Sequence, residues 1–182
     1  MKIILASASP RRKQLLEKYG VQFEVIPSRF VEPKNTNLSP EKYAEYLAFK
    51  KAEEVFLNNG EIVIGADTIV VYDNLILGKP KDFDDAVDML SLLNGKTHKV
   101  ITGYSIISKD KTIKEHNVTL VTFNNLTIDE IRRYVKEKNP LDKAGAYGIQ
   151  DGNLLVKEIV GDYENVVGLP TKKIIERLKE FL

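Results

Sequence analysis

The sequence predicts an α/β domain built on a mixed, twisted β-sheet with flanking helices. Helix-periodic segments and β-rich runs alternate along the chain. Tight turns join some β-rich runs into hairpins, which supply antiparallel pairs, while whole helices separate others, as parallel crossovers require. A hydrophobic content of 43% over 182 residues is enough to bury a core. No repeat, low-complexity tract or linker rich in Gly, Ser or Pro divides the chain, so one domain over residues 1–182 is expected.

Ile3 to Ala6 reads as a short buried strand. Ser9 then offers an N-cap and Pro10 sits at the first helical position, with Leu15, Leu16 and Tyr19 on one face and Gly20 ending the helix. A second strand is expected at Phe23 to Ile26, followed by a polar loop through Asn37. The Ser-Pro start recurs at Ser39-Pro40 and opens a helix to about Leu57, before the Asn58-Asn59-Gly60 stop. Ile62 to Tyr72 and Leu75 to Leu77 form a hairpin across Asp73-Asn74.

Asp82 caps a helix ending near Asn94-Gly95, and Val100 to Ile107 and Val118 to Phe123 then alternate as antiparallel strands. Thr127 and Glu130 have capping-box spacing for a helix to about Lys138, which Pro140 terminates. The loop "LDKAGAYGIQDG" leads to a strand around Leu154 to Val160, and Ile174, Ile175, Leu178 and Phe181 mark a last amphipathic helix.

Composition excludes several chemistries. With 27 basic and 26 acidic residues the net charge is +1, so neither nucleic acid nor a membrane surface is expected as partner. The absence of cysteine removes disulfides, thiolate nucleophiles and cysteine-held metals, and two histidines, His98 and His116, make a histidine-rich metal site unexpected. The first apolar run stops at Ala6, too short for a signal-peptide core, and no segment reaches the eighteen or so apolar residues of a membrane helix. A cytoplasmic protein is expected.

Three features ask for more than folding. In "LASASPRR", helix-start N–H groups, the hydroxyls of Ser7 and Ser9 and the guanidinium groups of Arg11 and Arg12 make an anion site suited to phosphate, although capping by Ser9 would alone explain the helix start. On the helix after Ser39 the apolar face is Ala44, Leu47, Ala48, Ala52 and Val55. At about 100° per residue Lys51 falls near the middle of that face and Lys50 outside it. A buried cation needs an anionic partner, unless its stem lies along apolar surface and its ammonium reaches water. Asp67 interrupts the run Ile62 to Val71, where a carboxylate is costly unless paired, metal-bound or placed where the sheet opens. Gly65 and Ala66 before it leave room for a ligand or a second backbone. Lys79, on the returning arm of the hairpin, could bring a further cation to the same place.

Two patterns are set aside. "NGKT" at Asn94 to Thr97 ends like a phosphate-binding P-loop, but Leu90 stands where the earlier glycine should be and the segment follows a helix, so it reads as a C-cap and turn. No serine lies in a Gly-x-Ser-x-Gly context, and neither histidine lies near a nucleophile.

In order along the chain, "LASASPRR", "KKA", "GADTIVV", "LGKP", "LNGKTHKVITG", "YV", "PLDKAGAYGIQ" and "GDYENVVGLP" resemble the Maf family of nucleoside triphosphate pyrophosphatases. The resemblance implies a two-lobed fold of the inosine-triphosphatase (Maf/Ham1) type with a nucleotide in a central cleft. It implies that Ser7, Arg12, Lys51 and Lys79 contact the triphosphate, and that Asp67 is the catalytic carboxylate, directing water at the α-phosphorus. A divalent cation is implied as cofactor, Mg²⁺ first with Mn²⁺ or Co²⁺ as alternatives, held by Asp67 and Glu32. The family tends to carry another acidic residue beside that glutamate, where this chain has Pro33.

Arg11, Thr68 and Gln150 match the branch that resembles dTTP and UTP hydrolases, whereas a branch acting on methylated GTP tends to carry a bulky residue before the arginine and a glutamine after the aspartate. The expected partner is therefore a nucleoside triphosphate substrate, with a homodimer left open. A non-catalytic nucleotide-binding regulator of septum formation is the alternative, against which the carboxylate of Asp67 argues, because a pure binder needs no anion beside an anionic ligand.

Overall fold

A computed structural model describes residues 2–33, 37–59 and 62–182. Its sheet is seven-stranded among these residues, in the order β2-β1-β3-β5-β6-β7, with β4 paired to β3. The strands are β1 (Ile3–Leu5), β2 (Glu24–Val25), β3 (Ile62–Tyr72), β4 (Leu75–Leu77), β5 (Thr97–Ile107), β6 (Thr112–Phe123) and β7 (Val156–Val160). β1 pairs parallel with β2 and β3, whereas β3–β4 and β6–β7 are antiparallel. The sheet is mixed, as the alternation of hairpins and crossovers predicts. Helices α1 (Pro10–Lys18), α2 (Pro40–Asn59), α3 (Phe83–Leu93), α4 (Ile128–Lys138), α5 (Tyr163–Val167) and α6 (Thr171–Leu178) complete it.

The chain divides into two compact units. The first holds residues 1–68, 102–117 and 168–182, and the second 69–101 and 118–167. A cluster of Ile4, Ala6, Ala52, Val55, Val63 and Ile107 lies in the first, where α2 covers the start of β3. In the second, Val87, Leu90 and Leu93 of α3 and Ile131, Tyr134 and Val135 of α4 pack with Val100, Val121 and Phe123 of the sheet.

Helix starts follow the sequence closely. Ser9 accepts from the Arg12 amide, Asp82 from the Asp85 amide, and Thr127 and Glu130 form a reciprocal capping box. Asp73 and Asn74 both take positive φ, 48° and 63°, as a two-residue hairpin turn of this hand requires. The "NGKT" segment is the expected stop and turn: Asn94 is the C-cap of α3, and Thr97 already belongs to β5.

Three elements differ from expectation. β6 begins at Thr112, six residues before Val118, because its first half is half-exposed and polar, without the alternation that marks a one-sided strand. β5 likewise begins at Thr97, three residues before Val100. α5 was not expected: one short helical stretch carries no periodicity, and its Asn165, wholly buried, donates to the Val100 carbonyl at 3.0 Å and to Thr119 Oγ1 at 3.0 Å.

Candidate active site

Glycines press α2 against the sheet. A Cβ on Gly65 of β3 would lie 2.3 Å from the Ala48 carbonyl oxygen and 2.8 Å from the Ala52 Cβ. One on Gly103 of β5 would lie 2.1 Å from the Ala44 carbonyl oxygen. The space before Asp67 therefore serves a second backbone, that of α2, and the apolar face of Ala44, Leu47, Ala48, Ala52 and Val55 is buried there as the helical wheel predicts.

This contact carries Lys51 to Asp67. Its ammonium donates to Asp67 Oδ1 at 2.5 Å and to Glu32 Oε1 at 2.7 Å. The Lys51 and Asp67 side chains are only 17% and 11% exposed, against 48% for Glu32. The cation in the core face is thus paired with two carboxylates, one buried and one at the surface. Lys50, one residue earlier, pairs instead with Glu53 along the helix at 2.6 Å.

Removal from water pushes the Asp67 carboxyl above the ordinary aspartate range, and the nearby charges of Lys51 and Arg12 only partly offset this. Burial would lower Lys51, but Asp67 and Glu32 outweigh it and hold the ammonium above its ordinary value. The result is a firmly protonated lysine beside a carboxylate of raised basicity.

The second cluster gathers on α1. Arg12 donates through Nε to the Gly168 carbonyl at 2.8 Å, through Nη1 to Ser7 Oγ at 3.2 Å and through Nη2 to Thr68 Oγ1 at 3.1 Å. Ser7 Oγ also accepts the Ser9 amide at 3.2 Å. Thr68 Oγ1 lies 2.9 Å from the hydroxyl of Thr102, a fully buried residue. The guanidinium is therefore fixed by an acceptor at each nitrogen. Burial lowers its pKa, while Asp67 and Glu32 pull the other way, so Arg12 lies within electrostatic reach of the lysine-bound carboxylates. Arg11, half-buried beside it, adds positive charge.

Ser7, Arg11, Arg12, Glu32, Lys51, Asp67 and Thr68 all belong to the first unit. Lys79 and Gln150 belong to the second, where both are exposed. There the Gly145 amide donates to the Gly78 carbonyl at 3.0 Å, tying the "DKAGAYGIQ" loop to the residue before Lys79.

Three contributors escaped the sequence reading. Gly168, at φ 132°, turns its carbonyl onto Arg12 from far along the chain; Thr102 supports Thr68; and Tyr43 of α2 donates to the Pro33 carbonyl at 3.2 Å, steadying the residue after Glu32. Burial raises the Tyr43 phenol, as do the nearby charges of Glu32 and Asp67. The motif "GDYENVVGLP" contains Gly168, but nothing in a glycine's side chain announces what its carbonyl will meet.

One unit of this mixed α/β protein thus brings together a clamped guanidinium, a helix start and a lysine-bound carboxylate, of which the first two are groups chemically suited to an anionic, phosphate-like ligand. The chain's fold resembles that of a nucleoside-triphosphatase/dITP/XTP pyrophosphatase from Mycobacterium abscessus, with a TM-score of 0.50 at 16% identity, covering 100% of this chain and 98% of that one. It also resembles that of a HAM1 protein from Coxiella burnetii, with a TM-score of 0.52 at 14% identity and 99% of each chain covered. Residues 2–181 match the Maf-like protein family, and the chain belongs to it. A dTTP/UTP pyrophosphatase of Bacillus cereus (strain AH820) is 53% identical over 182 residues, covering 99% of this chain and 95% of the relative.

Proposed function

We propose that this chain hydrolyses nucleoside triphosphates, dTTP and UTP foremost, to the nucleoside monophosphate and pyrophosphate, and that residues 1–182 act as one catalytic domain. The observation that supports this best is the buried Asp67 carboxylate bonded to Lys51 at 2.5 Å, within electrostatic reach of Arg12. Its close relatives carry the name dTTP/UTP pyrophosphatase.

Asp67 accepts a proton from the attacking water, for which a carboxylate of raised pKa is better suited than an ordinary one. Lys51, protonated and held in place, offers charge to the phosphorus as negative charge builds on its oxygens. Ser7, Arg12 and Lys79 bind the triphosphate. Arg12 needs little reorganisation, because Gly168 and Thr68 already fix its plane. Arg11, Thr68 and Gln150 favour a pyrimidine. Thr68 does so through Arg12, since its hydroxyl is engaged there rather than free for a base.

Among the described residues no group of three or more His, Cys, Asp or Glu gathers to hold a metal ion. The two carboxylates that meet at the Lys51 ammonium are nonetheless a suitable all-oxygen pair for Mg²⁺, Mn²⁺ or Co²⁺, since Mg²⁺ takes one or two carboxylates together with phosphate oxygens and water. Asp67 and Glu32 would hold it. When bound, such a cation neutralises phosphate charge.

Incubation with dTTP and Mg²⁺, with products separated by ion exchange, tests the reading. Equal amounts of dTMP and pyrophosphate are expected. Orthophosphate with dTDP, or binding without turnover, would overturn it.

A further inference from the structure

The turn that carries Gln150 is bracketed by one phenol. Tyr134, on α4 and 3% exposed, donates to Asp151 Oδ2 at 2.8 Å and accepts the Gly148 amide at 3.1 Å. Those two residues flank Ile149 and Gln150. The Asp151 amide donates back to the Gly148 carbonyl at 3.0 Å, closing the turn, whose buried Ile149 points inward while Gln150 stays exposed.

Further contacts fix the frame around it. A Cβ on Gly148 would lie 2.7 Å from Asp151 Oδ2 and 2.9 Å from Lys143 Cε, so the turn is tight on both sides. Tyr147, just before it, meets His98 Nε2 through its hydroxyl at 2.8 Å and stands edge-on to Phe123. Burial keeps the Tyr134 phenol protonated far above its ordinary range, as does its bond to Asp151, so the donor to that carboxylate is present at any physiological pH.

An exposed glutamine on a loose turn would lose backbone freedom each time it met a base, and a turn already closed avoids that cost. We propose that Tyr134 is a positioning residue for base selection: bonded to both Asp151 and Gly148, it holds the turn in the one shape that presents the Gln150 amide to the O and N–H edge of a uracil or thymine ring. This rests on the reading of Gln150 as a pyrimidine-selecting residue.

Tyr134→Phe keeps the ring in its apolar setting and removes both bonds. Kinetics with dTTP and GTP would compare wild type, Tyr134→Phe, Gln150→Ala and the double variant, alongside amide hydrogen exchange over residues 148–151. In Tyr134→Phe the KM for dTTP is expected to rise about three- to tenfold, the worth of one or two hydrogen bonds, while kcat moves less than about twofold. KM for GTP should change far less, exchange should quicken, and Tyr134→Phe should add nothing for dTTP once Gln150 is alanine. Asp151→Asn, which keeps an acceptor oxygen, should retain most of the preference, and Asp151→Ala should lose it.

Loss of preference in Gln150→Ala but not in Tyr134→Phe overturns the positioning role alone. Unchanged preference in Gln150→Ala overturns the reading of Gln150 and this inference with it. A Tyr134→Phe effect that falls on kcat for both nucleotides, and adds fully to Gln150→Ala, marks general loosening and also overturns the proposal.

Discussion

Asp67 is the residue on which the proposed chemistry turns. Asp67→Asn keeps the shape and an acceptor for Lys51 while removing the base, so turnover is expected to fall by ~10²–10⁴-fold with dTTP affinity retained. Equilibrium binding and single-turnover rates check both halves. The pH dependence has a definite sign: the base works ionised, so kcat/KM falls as pH drops through its folded-state pKa. Burial raises that pKa in the metal-free protein, and a cation held by Asp67 would draw it down again, so the acid limb should move to lower pH as Mg²⁺ is raised. A limb that stays fixed as Mg²⁺ is varied would mean Asp67 is not both the titrating base and a metal ligand. Lys51→Ala should cripple hydrolysis and cost stability, as much as ~3 kcal/mol, because it strips a buried carboxylate of its partner. Lys50→Ala removes only a surface pair within α2 and should cost ~0.5 kcal/mol at most with rate unchanged. Thermal melts and dTTP turnover of the two variants make the comparison. These residues were legible because a charge inside an apolar period violates the pattern around it. Gly168, Thr102 and Tyr43 were not, since each works through a backbone carbonyl or an ordinary-looking side chain whose partner lies elsewhere in the chain.

At the scale of elements, the contact between α2 and the sheet sets the distance from Lys51 to Asp67. Gly65→Ala or Gly103→Ala would drive a methyl into a helix backbone oxygen, which cannot rotate aside as a side chain could. Overpacking of this kind costs ~1–3 kcal/mol, and for a chain of this length a kcal/mol moves Tm by about 2–4 °C. The sharper expectation is a loss of kcat larger than the stability change alone would explain, because α2 must retreat and takes Lys51 with it. Calorimetry beside dTTP kinetics at a temperature well below Tm separates the two effects. Full activity in a destabilised Gly65→Ala would show that the glycine serves packing alone. Sequence reading located α1 to α4 to within a residue or two because caps and stops mark their ends. It shortened β6 because a half-exposed strand mixing Lys114, Glu115 and His116 has no alternation to display, and it passed over α5, whose place is held by Asn165 rather than by an apolar stripe.

For the whole molecule, the division into two units was invisible in composition for a physical reason. The chain passes between them at 68/69, 101/102 and 117/118, inside β3, β5 and β6, and at 167/168, where α5 ends, so no linker rich in Gly, Ser or Pro is needed. The proposed roles do not follow the division strictly, since Arg11 and Thr68, which would favour a pyrimidine, belong to the first unit and Lys79, which would bind the triphosphate, to the second. Ser7, Arg12, Lys51 and Asp67, which would handle phosphate and water, lie in the first unit, and Gln150, which would read the base, lies in the second. Changes at Lys51 or Asp67 should lower the rate on every triphosphate by a similar factor, whereas a change at Gln150 should alter the ranking among them. A glutamine amide offers both a donor and an acceptor, which matches the edge of uracil or thymine, and a base that leaves such groups unpaired loses ~1–3 kcal/mol for each one buried. The wild type is therefore expected to prefer dTTP and UTP over ATP and GTP by about tenfold or more in kcat/KM. Gln150→Ala should flatten that preference while sparing the slow rate on purines, and Lys51→Ala should depress all five of dTTP, UTP, CTP, ATP and GTP together. Equal wild-type activity on the five would refute the pyrimidine assignment and leave the pyrophosphate-releasing chemistry intact, whereas a Lys51→Ala effect confined to pyrimidines would refute the division of roles itself.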